Sequence, residues 1–224
     1  MLAGMVAGMI ALVDYGMGNL RSVEKALTRV GGDVRIVSTP GEVAGAEALV
    51  LPGVGAFGDC MRNLEADGLD GAVREFVASG RPFLGICLGL QMLFESGEES
   101  PGVAGLGLLP GSVPRFEVTG LKVPHMGWNR IRTRRPGCPL LDGVADGSYV
   151  YFVHSYYCRP SDKSVVCGTT DYGLEFCSMV WRGNVYATQF HPEKSQGVGL
   201  RMLENFVKLA KGNGSSQPEG RIKT

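Results

Sequence analysis

With 224 residues, 44% of them hydrophobic and 20% charged, the chain is long enough for one sizeable core and has too much apolar side chain to be disordered as a whole. Its formal net charge is zero, so it carries no basic excess to draw nucleic acid, and Arg132-Thr133-Arg134-Arg135 reads as a solvated loop. Six cysteines stand at 60, 87, 138, 158, 167 and 177 without a CxxC spacing, which excludes a zinc knuckle or a redox pair and fits free thiols in a reducing cytoplasm.

The run Met1 to Val13 is apolar but has no basic leader, and Asp14 stops it short of a bilayer span, so neither a signal peptide nor a membrane helix is expected. Residues 1–8 read as an N-terminal extension, with Met1, Met5 and Met9 all open as translation starts. Met9 to Val13 is a first core strand. Gly16-Met17-Gly18 is a tight turn and not a dinucleotide fingerprint, because Arg21 stands at the third glycine position and no acid ends the next strand. Asn19 to Val30 has helical spacing, with Leu20, Val23, Ala26, Leu27 and Val30 on one side. Val34 to Val37 and Ala48 to Leu51 are short strands, followed by helical segments around Cys60 to Leu64 and Leu69 to Ala78. This alternation predicts a mainly parallel α/β sheet with helices on both faces and ligands at the carboxyl ends of its strands. Pro52-Gly53-Val54-Gly55 lies at such an end, where it is either a plain Pro-Gly turn or a source of N–H groups for an oxyanion hole.

Phe83 to Ile86 then reads as a buried strand and Leu88 through Phe94 as the first turns of a helix, so Cys87 falls at their junction. Gly85 and Gly89 flank it at minus and plus two, as in Gly-x-Ser-x-Gly elbows. A buried, inert cysteine is the alternative. At the elbow, N–H groups and the helix dipole favour thiolate, and the N–H of Leu88 can receive charge developing on a carbonyl oxygen.

Beyond residue 100 glycine and proline become frequent and strands recur at Val123 to Ile131, Ser148 to Tyr157, Val165 to Thr170, Cys177 to Trp181 and Val185 to Phe190. Arg182-Gly183-Asn184 marks a hairpin, and the whole region reads as an antiparallel addition to the sheet, leaving a single domain over residues 9–211. Ser195 opens a last helix that runs to Lys211, with Leu200, Leu203, Phe206, Val207 and Ala210 inward. Residues 212–224 form a polar tail, expected to be disordered.

A cysteine nucleophile needs a base, and the histidines are His125, His154 and His191. Only His191 has an acid at plus two, in His191-Pro192-Glu193. Pro192 biases His191 toward extended backbone, from which Glu193 can reach the imidazole and fix its tautomer. An incidental surface pair is the bland alternative, and a zinc site lacks a third ligand at suitable spacing. No metal or other cofactor is expected.

Gly85-Ile86-Cys87-Leu88-Gly89-Leu90-Gln91 together with His191-Pro192-Glu193 resembles the class I (triad) glutamine amidotransferases, whose fold is flavodoxin-like. Asp14-Tyr15-Gly16-Met17-Gly18-Asn19-Leu20, Pro52-Gly53-Val54-Gly55-Ala56-Phe57, Pro124-His125-Met126-Gly127-Trp128-Asn129 and Tyr151-Phe152-Val153-His154-Ser155-Tyr156 narrow the likeness to glutaminase subunits of imidazole glycerol phosphate synthase, over about Met9 to Lys211. The resemblance implies L-glutamine hydrolysis through a thioester on Cys87, with His191 and Glu193 completing the triad. It implies an oxyanion hole from Leu88 and the Gly53-Val54-Gly55 segment, and glutamine held by Gln91, Glu99, Ser155 and Tyr156. It further implies a heterodimer with a barrel-shaped (HisF-type) cyclase subunit, which Asn19, Met126, Trp128, Tyr151 and Lys194 would face. The cyclase would use the ammonia to make imidazole glycerol phosphate and aminoimidazole carboxamide ribotide, in histidine biosynthesis. Two alternatives stay open: a glutaminase feeding another synthase, such as that of pyridoxal phosphate, and a non-catalytic binding subunit with an idle triad.

Overall fold

A computed structural model describes residues 8–212. The expected N-terminal extension, save Gly8, and the expected tail, save Gly212, lie outside the described residues; Gly8 and Gly212 are both in turns. Met9–Val13 (β1), Leu20–Arg29 (α1), Asp33–Val37 (β2), Pro40–Ala44 (α2) and Ala48–Gly53 (β3) open the chain. Phe57–Ala66 (α3), Leu69–Ala78 (α4), Phe83–Cys87 (β4) and Leu88–Gln91 (α5) follow. The helix α2 was not expected from apolar spacing, yet it has a sequence signature. Thr39 accepts from the Glu42 N–H, the Glu42 carboxylate accepts from the Thr39 N–H at 3.1 Å, and Pro40 starts the helix.

The second half holds Ser96–Gly97 (β5), Gly111–Val113 (β6), His125–Arg130 (β7), Arg132–Thr133 (β8), Tyr149–His154 (β9), Arg159–Pro160 (β10), Val166–Asp171 (β11), Glu175–Arg182 (β12), Val185–Thr188 (β13) and Gln196–Ala210 (α6). The main sheet runs β2-β1-β3-β4-β13-β12-β11-β8. Its first five strands are parallel, in the 2-1-3-4-5 order of flavodoxin-like folds, and β12, β11 and β8 continue it antiparallel. The expected hairpin closes from Met179↔Thr188 to Arg182↔Val185.

One placement differs from the sequence reading. The strands at Val123 to Ile131 and Ser148 to Tyr157 do not extend the main sheet but pair with each other, β7 on β9 from His125↔His154 to Arg130↔Tyr149. Arg132–Thr133, just after the first of them, joins the large sheet. The burial pattern accords with this: β7 and β9 alternate between a more buried and a more exposed side, whereas β1, β3 and β4 are buried at every position and belong inside a covered sheet.

The core divides by strand parity. Ala11, Val13, Leu49, Leu51 and Phe83 face one apolar cluster with Met61, Leu64, Val73 and Phe76 of α3 and α4. Ile10, Leu12, Val50, Leu84 and Ile86 face the other, with Val23 and Leu27 of α1 and Leu203 and Phe206 of α6. On α6, Leu203, Phe206, Val207 and Ala210 are buried as expected, Met202 joins them, and Leu200 is only half-buried. Each such large side chain contributes about 1.5–3 kcal/mol by leaving water, which is what holds helices onto both faces.

Candidate active site

The elbow forms where strand β4 ends beside Gly53, the register partner of Cys87. Cys87 has φ 56° and ψ −107°, a region that side-chain-bearing residues avoid, at a cost on the order of 1–3 kcal/mol. The two glycines make the geometry fit. A Cβ on Gly89 would lie 1.9 Å from the Leu51 carbonyl oxygen, and one on Gly85 would lie 2.7 Å from that of Gly89. Helix α5 is a single turn ending at Gln91, not the longer helix expected through Phe94. So short a helix has few aligned peptides and only a small dipole.

A cavity of about 260 Å³ opens over this turn, lined by Cys87 and His191 with Val54, Gly55, Leu88, Gln91, Glu99, Pro124, Val153, His154, Ser155 and Tyr156. The four residues expected to hold glutamine are thus together on its wall. Gln91 is buried, and its side-chain N–H groups donate to the Tyr156 carbonyl at 3.2 Å and to Gln189 Oε1 at 3.1 Å. The Glu99 carboxylate accepts from the Phe57 N–H at 2.7 Å, at the first turn of α3. Gly53 stands behind the wall, where an added Cβ would meet Leu88 Cβ and the Tyr15 hydroxyl at 2.8 Å. That hydroxyl donates to the Pro52 carbonyl at 2.7 Å and so ties down the strand end beside the sulfur. Val54 is exposed, and Gly55 adopts φ 98°, which favours glycine.

His191 continues the chain beyond β13, the neighbour of β4, with extended φ −98° and ψ 98°. Glu193 reaches it through a 3₁₀ turn over Pro192–Lys194, not along extended backbone as the residue spacing suggested. Nδ1 of His191 lies 2.7 Å from Glu193 Oε1, with both side chains almost wholly buried. Nε2 is buried without a hydrogen-bond partner, as is Glu193 Oε2. Burial opposes a charged imidazole here, but the Cys87 sulfur and the Glu193 carboxylate outweigh it and push the His191 pKa up to about 10. Ser195 Oγ donates to the His191 carbonyl at 2.7 Å and accepts from the Tyr151 N–H at 3.0 Å, clamping His191 to β9.

Three contributors escaped the sequence reading: Ser195, Gln189 and the pair His154–His125. Gln189 is fully buried and was open to detection, since it stands two residues before His191 in extended chain and so on the same side. His154 Nδ1 donates to the Tyr156 carbonyl at 2.7 Å, His125 Nδ1 lies 2.9 Å from His154 Nε2, and Asn129 Nδ2 lies 3.2 Å from His125 Nε2. The Tyr156 carbonyl fixes a proton on His154 Nδ1, and the Asp171 carbonyl, accepting from Asn129 Nδ2 at 2.8 Å, fixes Asn129 as a donor to His125 Nε2; with one proton on each ring, His125 Nδ1 then donates to His154 Nε2. Burial lowers the pKa of His154 to about 3 and of His125 to about 4. Their pairing needs β7 and β9 in register, which no local pattern reveals.

Four of the five residues expected to meet a partner form one patch outside the cavity. Met126 and Trp128 are 62% and 45% exposed on β7, Trp128 packs edge-on against Tyr151 at 6.1 Å, and the Lys194 ammonium lies 5.9 Å from the Tyr151 ring centre. Asn19 is exposed at the N-terminus of α1.

The model of the family "Glutamine amidotransferase class-I" matches residues 11–210. A protein of Syntrophotalea carbinolica named imidazole glycerol phosphate synthase subunit HisH is 57% identical over 204 residues, covering 88% of this chain and 98% of its own. A protein of the same name from Moorella thermoacetica is 54% identical over 207 residues, covering 92% and 98%. In fold, the chain resembles a crystal structure titled glutamine amidotransferase, with TM-score 0.70 and 24% identity over 89% of this chain and 98% of that one. It likewise resembles a chain of PurLQS from Thermotoga maritima, with TM-score 0.71 and 19% identity over 90% and 98%. The chain therefore belongs to the class I glutamine amidotransferases and, within them, to the family of imidazole glycerol phosphate synthase HisH subunits.

Proposed function

We propose that the chain hydrolyses L-glutamine and passes the ammonia to a cyclase subunit, as the glutaminase half of an imidazole glycerol phosphate synthase in the cytoplasm. The observation that carries this is the buried His191, with Nδ1 held by Glu193, Nε2 left without a partner, and the ring on the same cavity as Cys87. In this reading Cys87 Sγ attacks the side-chain amide carbon of glutamine. The N–H of Leu88 and one from Gly53-Val54-Gly55 take the charge on the carbonyl oxygen. His191 Nε2 gives its proton to the departing nitrogen, ammonia leaves and a glutamyl thioester remains. His191, now neutral, takes a proton from water as it attacks that thioester, which frees glutamate and returns the thiolate. Gln91, Glu99, Ser155 and Tyr156 hold the amino-acid end. Among the described residues no helix is long and apolar enough to span a membrane.

The test measures glutamate release by the purified chain, alone and with a barrel-type cyclase subunit. Release that depends on Cys87 and rises with the cyclase supports the reading. Unchanged release by Cys87→Ala refutes it. Association with a pyridoxal phosphate synthase and with no cyclase would assign the glutaminase to that other complex.

A further inference from the structure

Gln189 has no part in the triad, yet it is fully buried between the sulfur and the wall that would hold glutamine. We propose that Gln189 is a positioning residue whose side-chain amide donates a hydrogen bond to the Cys87 sulfur while its oxygen locks Gln91 in place. The orientation of the amide follows from a fixed starting point. The Tyr156 carbonyl can only accept, and it takes the His154 Nδ1–H at 2.7 Å and a Gln91 Nε2–H at 3.2 Å. Gln91 therefore turns its nitrogen, not its oxygen, toward Gln189, and Gln189 Oε1 accepts from it at 3.1 Å. The Gln189 nitrogen is left facing Cys87 Sγ at 3.8 Å. Flipping the Gln189 amide would set two NH₂ groups against each other and aim an oxygen lone pair at the sulfur.

The backbone fixes where the side chain starts, and its hydrogen-bond partners decide which way the amide faces. The Gln189 N–H donates to the Ser178 carbonyl at 2.9 Å, extending the pairing of β13 with β12 past Thr188. The sulfur then has a partner in each protonation state. As a thiol it faces the Val153 carbonyl at 4.0 Å, and as a thiolate it accepts from Gln189 Nε2 with the His191 imidazolium nearby. Tyr15, Cys60 and Cys158 also interact with the charge of Cys87, and Glu99 faces it across the cavity; the test alters none of them.

This inference rests on the proposed glutaminase reading, and its test reads the thiol without needing turnover. The full chain is alkylated with iodoacetamide across pH, and modification of the Cys87 peptide is followed by mass spectrometry, with Cys87→Ala as background. Gln189→Glu puts a carboxylate oxygen where the donor stood. It is expected to raise the alkylation midpoint by at least about one pH unit, a tenfold loss of thiolate at fixed pH. Gln189→Met, which removes donor and acceptor without adding charge, is expected to raise it by a smaller amount and to lower glutamate release by tenfold or more. A midpoint unmoved in the variants that keep the wild-type circular dichroism overturns the proposal, and Gln189→Met decides alone where Gln189→Glu does not fold. Failure of the glutaminase reading shows separately, as glutamate release that survives Cys87→Ala.

Discussion

Cys87 is held in a backbone conformation it would not choose, by the pairing of β4 with β3 and β13 on its two sides and by glycines that let α5 fold back onto the strand. Cys87→Ala keeps the fold and is expected to cut glutamate release by at least 10³-fold, measured with a coupled glutamate assay. Gly89→Ala acts through packing, since its methyl group would occupy the Leu51 carbonyl. It is expected to cost about 3 kcal/mol or more, read as a lowered urea midpoint together with lost activity. His191 titrates at a pKa raised to about 10, so its charged form contributes stability in full below the ordinary value near 6.5. That contribution is lost as pH rises from there through about 10. Glu193→Gln removes one of the two groups that hold the proton, and is expected to lower kcat by about 10- to 10³-fold and to move the alkaline limb of stability to lower pH. The elbow at Cys87 and the pairing of His191 with Glu193 were legible because each sits in a short local pattern: two glycines around a thiol, and a carboxylate two residues beyond an imidazole. Ser195 lacks such a pattern, and Gln189, although two residues before His191, takes its role from a distant partner; these partners stand 44 and 102 residues away in sequence.

The ribbon of β7 and β9 is the element whose place differed most from expectation, and it carries the neutral histidine row. His125 and His154 have pKa values lowered by burial to about 4 and about 3. The unfolded chain therefore binds protons first, and the stability these rings support is complete above about pH 6.5 and lost as pH falls toward those values. His154→Phe removes a titrating group but strips the Tyr156 carbonyl of a donor. It is expected to cost about 1–3 kcal/mol at neutral pH while weakening the acid dependence of the urea midpoint between pH 7 and pH 5. Strands and helices of the first half other than α2 were legible to within a few residues, because apolar runs buried on both faces alternate with helical spacing. Alternating strands in the second half announce one apolar face without saying what covers it.

At the scale of the molecule, the cavity opens where β3, β4 and β13 end, and the exposed patch of Met126 and Trp128 lies on the ribbon that also supplies Val153, His154, Ser155 and Tyr156 to that cavity. A partner docked on the ribbon would therefore touch the same element that shapes the cavity. Trp128→Ala is expected to weaken association with a cyclase subunit by about tenfold or more, as aromatic anchors do, with the melting temperature of the free chain unchanged within about 2 °C. Titration of the cyclase against glutamate release checks this.

The order of residues by itself determined the parallel α/β scaffold, the elbow and the presence of a histidine with an acid at plus two, because each depends on periodicity or on neighbours a few positions apart. Only the tertiary structure decided that β7 pairs with β9, that Glu193 reaches His191 through a 3₁₀ turn, and that Gln189, Gln91 and the Tyr156 carbonyl meet behind the sulfur. Those arrangements depend on strand register and on burial across long separations, and hydrogen-bond directions are settled only when every donor and acceptor in the enclosed site has been matched.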